Sequence, residues 1–318
     1  MKFKKPNFWD YKKPNFIAYL LSPLSLIVKI NNLILKIKPK KKFKNIKTIC
    51  VGNIYVGGTG KTPTVIKLYE ILKNNGFKVS TAKKFYPDQK DENSILKNRS
   101  KFISLDSRQK IVQKAIEENC ELLIFDDGLQ DRQIDYDFKL VCFDNKKWIG
   151  NGFIIPSGPM REKIDSLKKY DAVIIKNIDK KSDQNEIYKS INKINPKIRI
   201  FNSFFKIKNK DEFNLNDKFL IFSGIGNSNS FKEILIKNNF NIIKEIVFPD
   251  HFDYKKHDIL NLMKVAENKN IKIITTEKDY VKIPTSLRKK INFIKIDLEI
   301  LEQKQLTELI ESKISEIN

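Results

Sequence analysis

Val51-Gly52-Asn53-Ile54-Tyr55-Val56-Gly57-Gly58-Thr59-Gly60-Lys61-Thr62-Pro63 joins a β-branched apolar run, Ile46–Val51, to a stretch with helical spacing. A strand that feeds a glycine-rich loop, with Gly-Lys-Thr opening a helix, is a phosphate-binding arrangement. Glycines let the backbone wrap an anion so that N–H groups and the helix N-terminus point at it. Val56, Gly57, Gly58, Thr59, Gly60, Lys61, Thr62 and Pro63 are therefore the candidate nucleotide-binding residues. In such loops the lysine reaches the β/γ-phosphates and the hydroxyl residue binds Mg²⁺. One departure is plain: the usual pattern has a glycine five residues before the Gly-Lys, and here Tyr55 stands there.

Outward from the loop, strand-like and helix-like segments alternate. Val65, Ile66, Leu68, Tyr69 and Leu72 give Thr62–Asn75 a helical face, and Phe77–Ala82 reads as a strand. Ser107–Asn119 is helical, and Leu122–Phe125, Leu140–Phe143 and Ala172–Ile175 are short apolar strands. Such alternation predicts an α/β fold with a parallel sheet covered by helices. Leu122–Phe125 runs into Asp126-Asp127-Gly128, acids ending a strand as in a Walker-B site. Either carboxylate could hold Mg²⁺ opposite Thr62, and the sequence leaves open which one.

Asp179–Lys210 is polar and Lys/Asn-rich, with a strand-like piece at Ile198–Phe205. The alternation then restarts: strands at Phe219–Phe222, Ile242–Phe248, Ile271–Thr275 and Phe293–Ile296, helices near Ser228–Lys237 and His257–Asn268, and a last helix from Leu301. These breaks predict a P-loop nucleotide-binding domain over residues 45–205 and a smaller α/β domain over 206–318.

The chain has 318 residues, 61 Lys+Arg against 38 Asp+Glu, and 41% hydrophobic residues. That apolar content excludes a disordered chain, and 3 Cys exclude a disulfide scaffold. Cys50, Cys120 and Cys142 read as reduced core residues. The formal net charge is +23, and residues 1–44 hold 12 Lys and one acid, Asp10, so 12 − 1 = +11 of it. The same block contains the uncharged run Asn15–Val28, interrupted by Pro23. A spanning helix needs roughly 20 apolar residues. The run predicts instead a kinked, amphipathic helix pair lying in a membrane interface, with Lys reaching anionic headgroups and Trp9, Tyr11 and Tyr19 at headgroup level. The plainer alternative is a core helix leading into the next domain. The apolar runs and the lack of Arg in residues 1–44 argue against a nucleic-acid partner.

Further motifs make the resemblance specific. Gly52-Asn53 through Pro63, Asp126-Asp127-Gly128-Leu129-Gln130, Gly150-Asn151-Gly152 with Pro156-Ser157-Gly158-Pro159-Met160-Arg161-Glu162, Gly224-Ile225-Gly226-Asn227, Phe248-Pro249-Asp250-His251 and Thr276-Glu277-Lys278-Asp279 follow in order. In these the chain resembles the tetraacyldisaccharide 4′-kinases, the lipid A 4′-kinases of Gram-negative bacteria, over nearly its whole length. The resemblance extends to the atypical loop with Tyr55 and to the basic, apolar N-terminus.

The resemblance implies transfer of the γ-phosphate of ATP, with Mg²⁺, to the 4′-hydroxyl of a tetraacylated glucosamine disaccharide 1-phosphate, giving lipid IV-A. It implies a peripheral enzyme on the cytoplasmic face of the inner membrane, with an acylated disaccharide as partner and no obligate protein partner. It assigns an Asp–His pair to the hydroxyl, here Asp91, with Asp88 as a rival, and His251; Gln130, Arg108 and Glu162 fall on further family positions. Three departures stand out. The family's Ser-Arg-Gly-Tyr is replaced by Thr81-Ala82-Lys83-Lys84-Phe85-Tyr86, with a shortened loop before Asp91. Asn93 replaces a proline, and Asp131 stands where a histidine is common. The alternatives are a membrane-associated P-loop NTPase and an inactive kinase homologue, neither of which would phosphorylate lipid.

Overall fold

In the computed structural model, α1 (Phe16–Leu21) and α2 (Leu24–Ile37) precede β1 (Lys47–Gly52), α3 (Lys61–Asn74), β2 (Val79–Ala82), α4 (Lys90–Arg99), β3 (Phe102–Ile103), α5 (Arg108–Glu117), β4 (Leu122–Asp126), β5 (Phe138–Asp144), β6 (Ala172–Asn177), α6 (Asn185–Ile194) and β7 (Arg199–Ile207). There follow β8 (Lys218–Ser223), α7 (Ser228–Lys237), β9 (Asn241–Val247), α8 (Lys256–Glu267), β10 (Lys272–Thr276), α9 (Glu277–Tyr280), β11 (Asn292–Ile294), β12 (Ile296–Ile300) and α10 (Gln303–Ser315). The structure describes residues 5–37, 39–87, 90–131, 133–177, 185–250 and 252–315.

The chain forms two compact units, each discontinuous in sequence. One comprises residues 1–85, 100–204 and 300–318; the other comprises 86–99 and 205–299. Division at a single point near 205 is therefore not the whole pattern. Residues 86–99 leave the first expected domain for the second unit, and 300–318 return to the first.

The larger sheet has the order β12-β7-β6-β5-β1-β4-β2-β3. Strand β1 runs parallel to both β4 and β5, and its last five residues are buried, as a strand covered on both faces requires. From β1 the chain moves to β2 and β3, then returns to lay β4 between β1 and β2, and finally starts outward again with β5 on the far side of β1. Order reverses at β1, so the loops leaving the carboxyl ends of β1 and β4 open together, where doubly wound sheets bind ligands. Helix α3 covers this region with Val65, Ile66, Leu68, Tyr69, Ile71 and Leu72 buried.

The second unit holds a four-stranded parallel sheet, β11-β10-β8-β9. Phe293–Ile296, expected as one strand, is split: β11 belongs to this sheet and β12 to the larger one. The break falls at Lys295, whose N–H donates to Asn209 Oδ1 and whose carbonyl accepts from the Lys208 N–H. Those bonds turn the chain out of one ladder and into the other.

Helices α1 and α2 are separated at Ser22-Pro23. Ala18 is fully buried, and the buried Ser25 hydroxyl lies 2.8 Å from the Ile154 carbonyl oxygen, to which it donates, and 2.7 Å from Ser157 Oγ. Trp9 does not face outward as expected. Its ring is buried and Nε1 donates to the Pro156 carbonyl, 3.0 Å away, because an indole N–H needs a partner once its ring is covered. Tyr11 and Tyr19 are exposed. Among the described residues no helix is long and apolar enough to cross a membrane.

Candidate active site

The phosphate loop is built against a second segment of the same unit. The Val56 N–H donates to the Pro159 carbonyl and the Arg161 N–H to the Ile54 carbonyl, both at 2.8 Å, and Tyr55 bridges Met160. This pairing accounts for Tyr55. A loop laid along Pro159–Arg161 is extended there and sends a side chain inward, where the usual loop has a glycine turn. The ring is buried, and its hydroxyl meets the Asp10 carboxylate and Lys5. Burial, then Asp10, push the phenol well above its ordinary pKa, so it stays a donor.

Beyond Tyr55 the loop turns on Gly57 and Gly60, with φ of 134° and 88°. Buried Asn53 braces it, its Nδ2 donating to the Gly57 carbonyl at 3.2 Å and to Thr59 Oγ1 at 3.0 Å. A Cβ on Gly58 would meet nothing within 4 Å, so this residue borders open space. Lys61, Thr62 and Pro63 form the first turn of α3, the one place in a helix where a proline costs no hydrogen bond.

Asp126 and Asp127, adjacent in sequence, do different things. Asp126 ends β4 fully buried, and its Oδ2 accepts from Thr62 Oγ1 at 2.8 Å and from Lys83 Nζ at 3.2 Å. Its Oδ1 is buried without a hydrogen-bond partner. Asp127 takes a left-handed backbone, φ 65°, which swings its carboxylate the other way. There Arg161 Nη1 donates to both oxygens, at 3.2 and 3.0 Å, and Lys61 Nζ lies 3.7 Å away. Burial opposes the charge on Asp127, but Lys61 and Arg161 outweigh it and hold the carboxyl far below the usual carboxylate range.

Behind the acids lies a second layer. Gln130 Nε2 donates to the Asn53 carbonyl and to Glu162 Oε1, and its Oε1 accepts from Arg161. Glu162 is buried and also accepts from the Tyr170 hydroxyl at 3.0 Å. Arg108 is buried too. It donates to the Asp127 carbonyl at 2.9 Å and to Asp131 at 2.6 Å. Asp131, a departure in the sequence, is thus the acceptor for Arg108. In the sequence Lys83 stands out only as a departure, and nothing in its neighbours points its ammonium at Asp126. The signal was positional: β2 neighbours β4, so the residue after β2 lies beside the end of β4.

The second unit gathers the remaining motifs. The ends of β8, β9 and β10 carry Gly224, Phe248-Pro249 and Glu277-Lys278-Asp279. Asp279 is fully buried, accepting from the Gly224 N–H and the Thr276 hydroxyl, with Lys282 beside it. Lys278 Nζ lies 3.6 Å from Glu92 and 3.5 Å from Asp250. These are the sequence neighbours of the two expected hydroxyl-activating residues. His251 and Asp88 lie outside the described residues, and Asp91 is described only as part of the first turn of α4.

Comparison with known proteins gives one consistent result. The family model described as tetraacyldisaccharide-1-P 4′-kinase matches residues 17–104 and 88–315. A tetraacyldisaccharide 4′-kinase of Pelagibacter ubique is 46% identical over 309 residues, 96% of this chain and 97% of that protein. One from Rickettsia canadensis is 33% identical over 337 residues, spanning both chains completely. The crystal structure of the "apo" form of LpxK from Aquifex aeolicus in complex with ATP superposes with a TM-score of 0.70 at 20% identity, covering 94% of this chain and 99% of that one. At that identity the likeness establishes the fold.

Proposed function

Because the chain belongs to the tetraacyldisaccharide 4′-kinase family, we infer that it transfers the γ-phosphate of ATP to the 4′-hydroxyl of a tetraacylated disaccharide 1-phosphate. The observation that carries this reading is the joining of the loop, Lys61 and Thr62 to Asp126 and Asp127 at the carboxyl ends of β1 and β4. Phosphoryl transfer needs positioning and charge neutralisation more than covalent help from the protein. The loop N–H groups and the α3 N-terminus hold the phosphates, and Lys61 neutralises charge on the transferring group. The acceptor oxygen attacks phosphorus, the bond to ADP breaks, and the hydroxyl proton passes to a carboxylate. We assign that carboxylate to Asp91, with His251 orienting it.

The residues present suit Mg²⁺. Thr62 Oγ1 and Asp126 are hard oxygen donors, and the unpartnered, buried Asp126 Oδ1 is an acceptor awaiting a cation or its water. Asp126 rather than Asp127 is then the metal-side carboxylate, Asp127 being committed to Arg161 and Lys61. Bound there, the ion would neutralise the β- and γ-phosphate oxygens.

The acceptor lipid sets the location. Phe16, Ile17, Tyr19, Leu20, Leu24, Leu26, Ile27, Ile30 and Ile34 are all exposed on α1 and α2, with exposed Lys12, Lys13, Lys40, Lys41, Lys42 and Lys44 in the flanking chain. An apolar face of this size rimmed by cations supports an interfacial amphipathic segment. We place the enzyme peripherally on the cytoplasmic face of the inner membrane, where ATP is available.

The test is an assay with γ-labelled ATP, Mg²⁺ and the disaccharide 1-phosphate in detergent micelles. Wild type is expected to label the lipid, and Lys61→Ala and Asp91→Ala to lose that label. ATP consumed without lipid label would instead identify a membrane-associated NTPase, and label surviving Asp91→Ala would move the base elsewhere.

A further inference from the structure

The loop accounts for Lys61 but leaves a second ammonium beside the same acids. Lys83 follows β2 directly, its side chain is 4% exposed, and its Nζ lies 3.2 Å from Oδ2 of the fully buried Asp126. That oxygen is the one that takes the Thr62 hydroxyl. Removing both charges from water carries a desolvation cost that an apolar pair of the same size would avoid, so a buried ion pair is a weak device for stability alone. Each acid has a cation beside it, Lys83 on Asp126 and Lys61 on Asp127.

We propose that Lys83 is a positioning residue that stands in for the divalent cation at Asp126 while the phosphate loop is empty. The ammonium holds the carboxylate aimed at Thr62, and it disfavours a free divalent ion there by occupying Oδ2 and by like-charge repulsion. A metal–nucleotide complex escapes this barrier, because its polyphosphate brings negative charge that both Lys83 and Lys61 can serve. Metal thus enters as the nucleotide complex and not ahead of it. The inference rests on the reading of Thr62 and Asp126 as the metal side of the site.

Mn²⁺ is the probe, followed by electron paramagnetic resonance on the full chain, with and without a β,γ-imido analogue of ATP. Wild type is expected to retain Mn²⁺ only with the analogue. Lys83→Met is expected to bind Mn²⁺ roughly tenfold more tightly without nucleotide. Adding Asp126→Asn should abolish that gain, and Lys83→Arg should restore the wild-type pattern. A lysine that merely filled space would not produce a gain in metal affinity. Equal Mn²⁺ affinity of wild type with and without the analogue overturns the proposal, and this arm decides even if Lys83→Met fails to fold. Analogue-dependent binding in wild type with no change in Lys83→Met overturns the role of Lys83 alone. No Mn²⁺ retained by wild type even with the analogue overturns the metal reading of Thr62 and Asp126 together with it.

Discussion

Asp127 illustrates how much a single backbone angle decides. Its φ of 65° turns its carboxylate away from Thr62 toward Arg161 and Lys61, while Asp126 stays in register with its strand. Sequence could not separate the two, because both follow the same apolar strand. The depressed carboxyl of Asp127 has a definite pH signature. Its folded pKa lies below the unfolded value, so its charged contacts stabilise the protein fully above the ordinary carboxylate range. That contribution is lost as pH falls through the folded value. Asp127→Asn keeps a residue type that tolerates the left-handed region and removes the charge. It should cost about 2 kcal/mol at pH 7, and its melting temperature should fall less than that of wild type between pH 5 and pH 2. A parallel acid limb in both proteins would show that Asp127 carries no net charge stabilisation. Gly58 and Gly60 make a second contrast. A methyl at Gly60 is strained at φ 88° and should cost roughly 1–2 kcal/mol. At Gly58 it meets only open space. Gly58→Ala should therefore melt like wild type while binding ATP more weakly, as calorimetry of unfolding and of nucleotide titration would report.

Helix α4 makes charged contacts with two adjacent residues of α9 and with β12. Arg99 at its C-terminal end approaches Glu277 at 3.9 Å and Asp297 at 2.8 Å, and Glu92 in its first turn approaches Lys278 at 3.6 Å. Leu96 is its fully buried side chain. This explains why the sequence showed no helix there: two adjacent apolar residues in ten, Ile95 and Leu96, leave no 3.6-residue period to read. The alternating strands were legible because each is a β-branched or aromatic run. Helix α6 has Ile187, Tyr188, Ile191 and Ile194 at helical spacing, but they are submerged in Lys and Asn. The core of the phosphate site was legible in glycines and acids at fixed offsets. Its bracing by Lys83 and by the Arg108–Asp131 pair was not, since those contacts depend on strand order. Leu96→Ala should cost about 2–4 kcal/mol by opening a cavity under the helix. Lys278→Met should leave global stability nearly unchanged but speed amide exchange in the first turn of α4, where the expected base resides. Unaltered exchange at residues 90–94 would mean that backbone and Leu96 contacts suffice.

At the scale of the whole molecule, charge and apolar surface act together. The formal charge is +23, and the N-terminal 44 residues carry +11 of it beside the exposed faces of α1 and α2. The interleaving of the two units was hidden from sequence, because a chain that leaves a unit and returns carries no compositional mark at the crossings. The proposed membrane face rests on composition, and the structure adds which side chains of α1 and α2 are buried. Ala18 and Ser25 are buried, whereas Leu20, Leu24 and Ile27 are among the exposed apolar side chains that would meet lipid on that reading. Two forces then predict separable behaviour in vesicle sedimentation. Coulomb attraction of the lysines to anionic headgroups weakens with salt, as the screening length falls to about 8 Å at physiological ionic strength. Burial of the apolar face does not weaken with salt; each large side chain transferred contributes about 1.5–3 kcal/mol. Binding should therefore require anionic lipid at low protein concentration and fall with added salt toward a residual level. Leu20→Glu or Ile27→Glu should remove that residual level at every salt concentration, with the melting temperature unchanged because both side chains are already exposed. Lipid phosphorylation should fall in these variants while soluble ATP binding stays intact, since the phosphate loop is built from other elements. If both variants bind vesicles as wild type does, α1 and α2 do not dock on lipid, and the acceptor must be drawn from the membrane by another face.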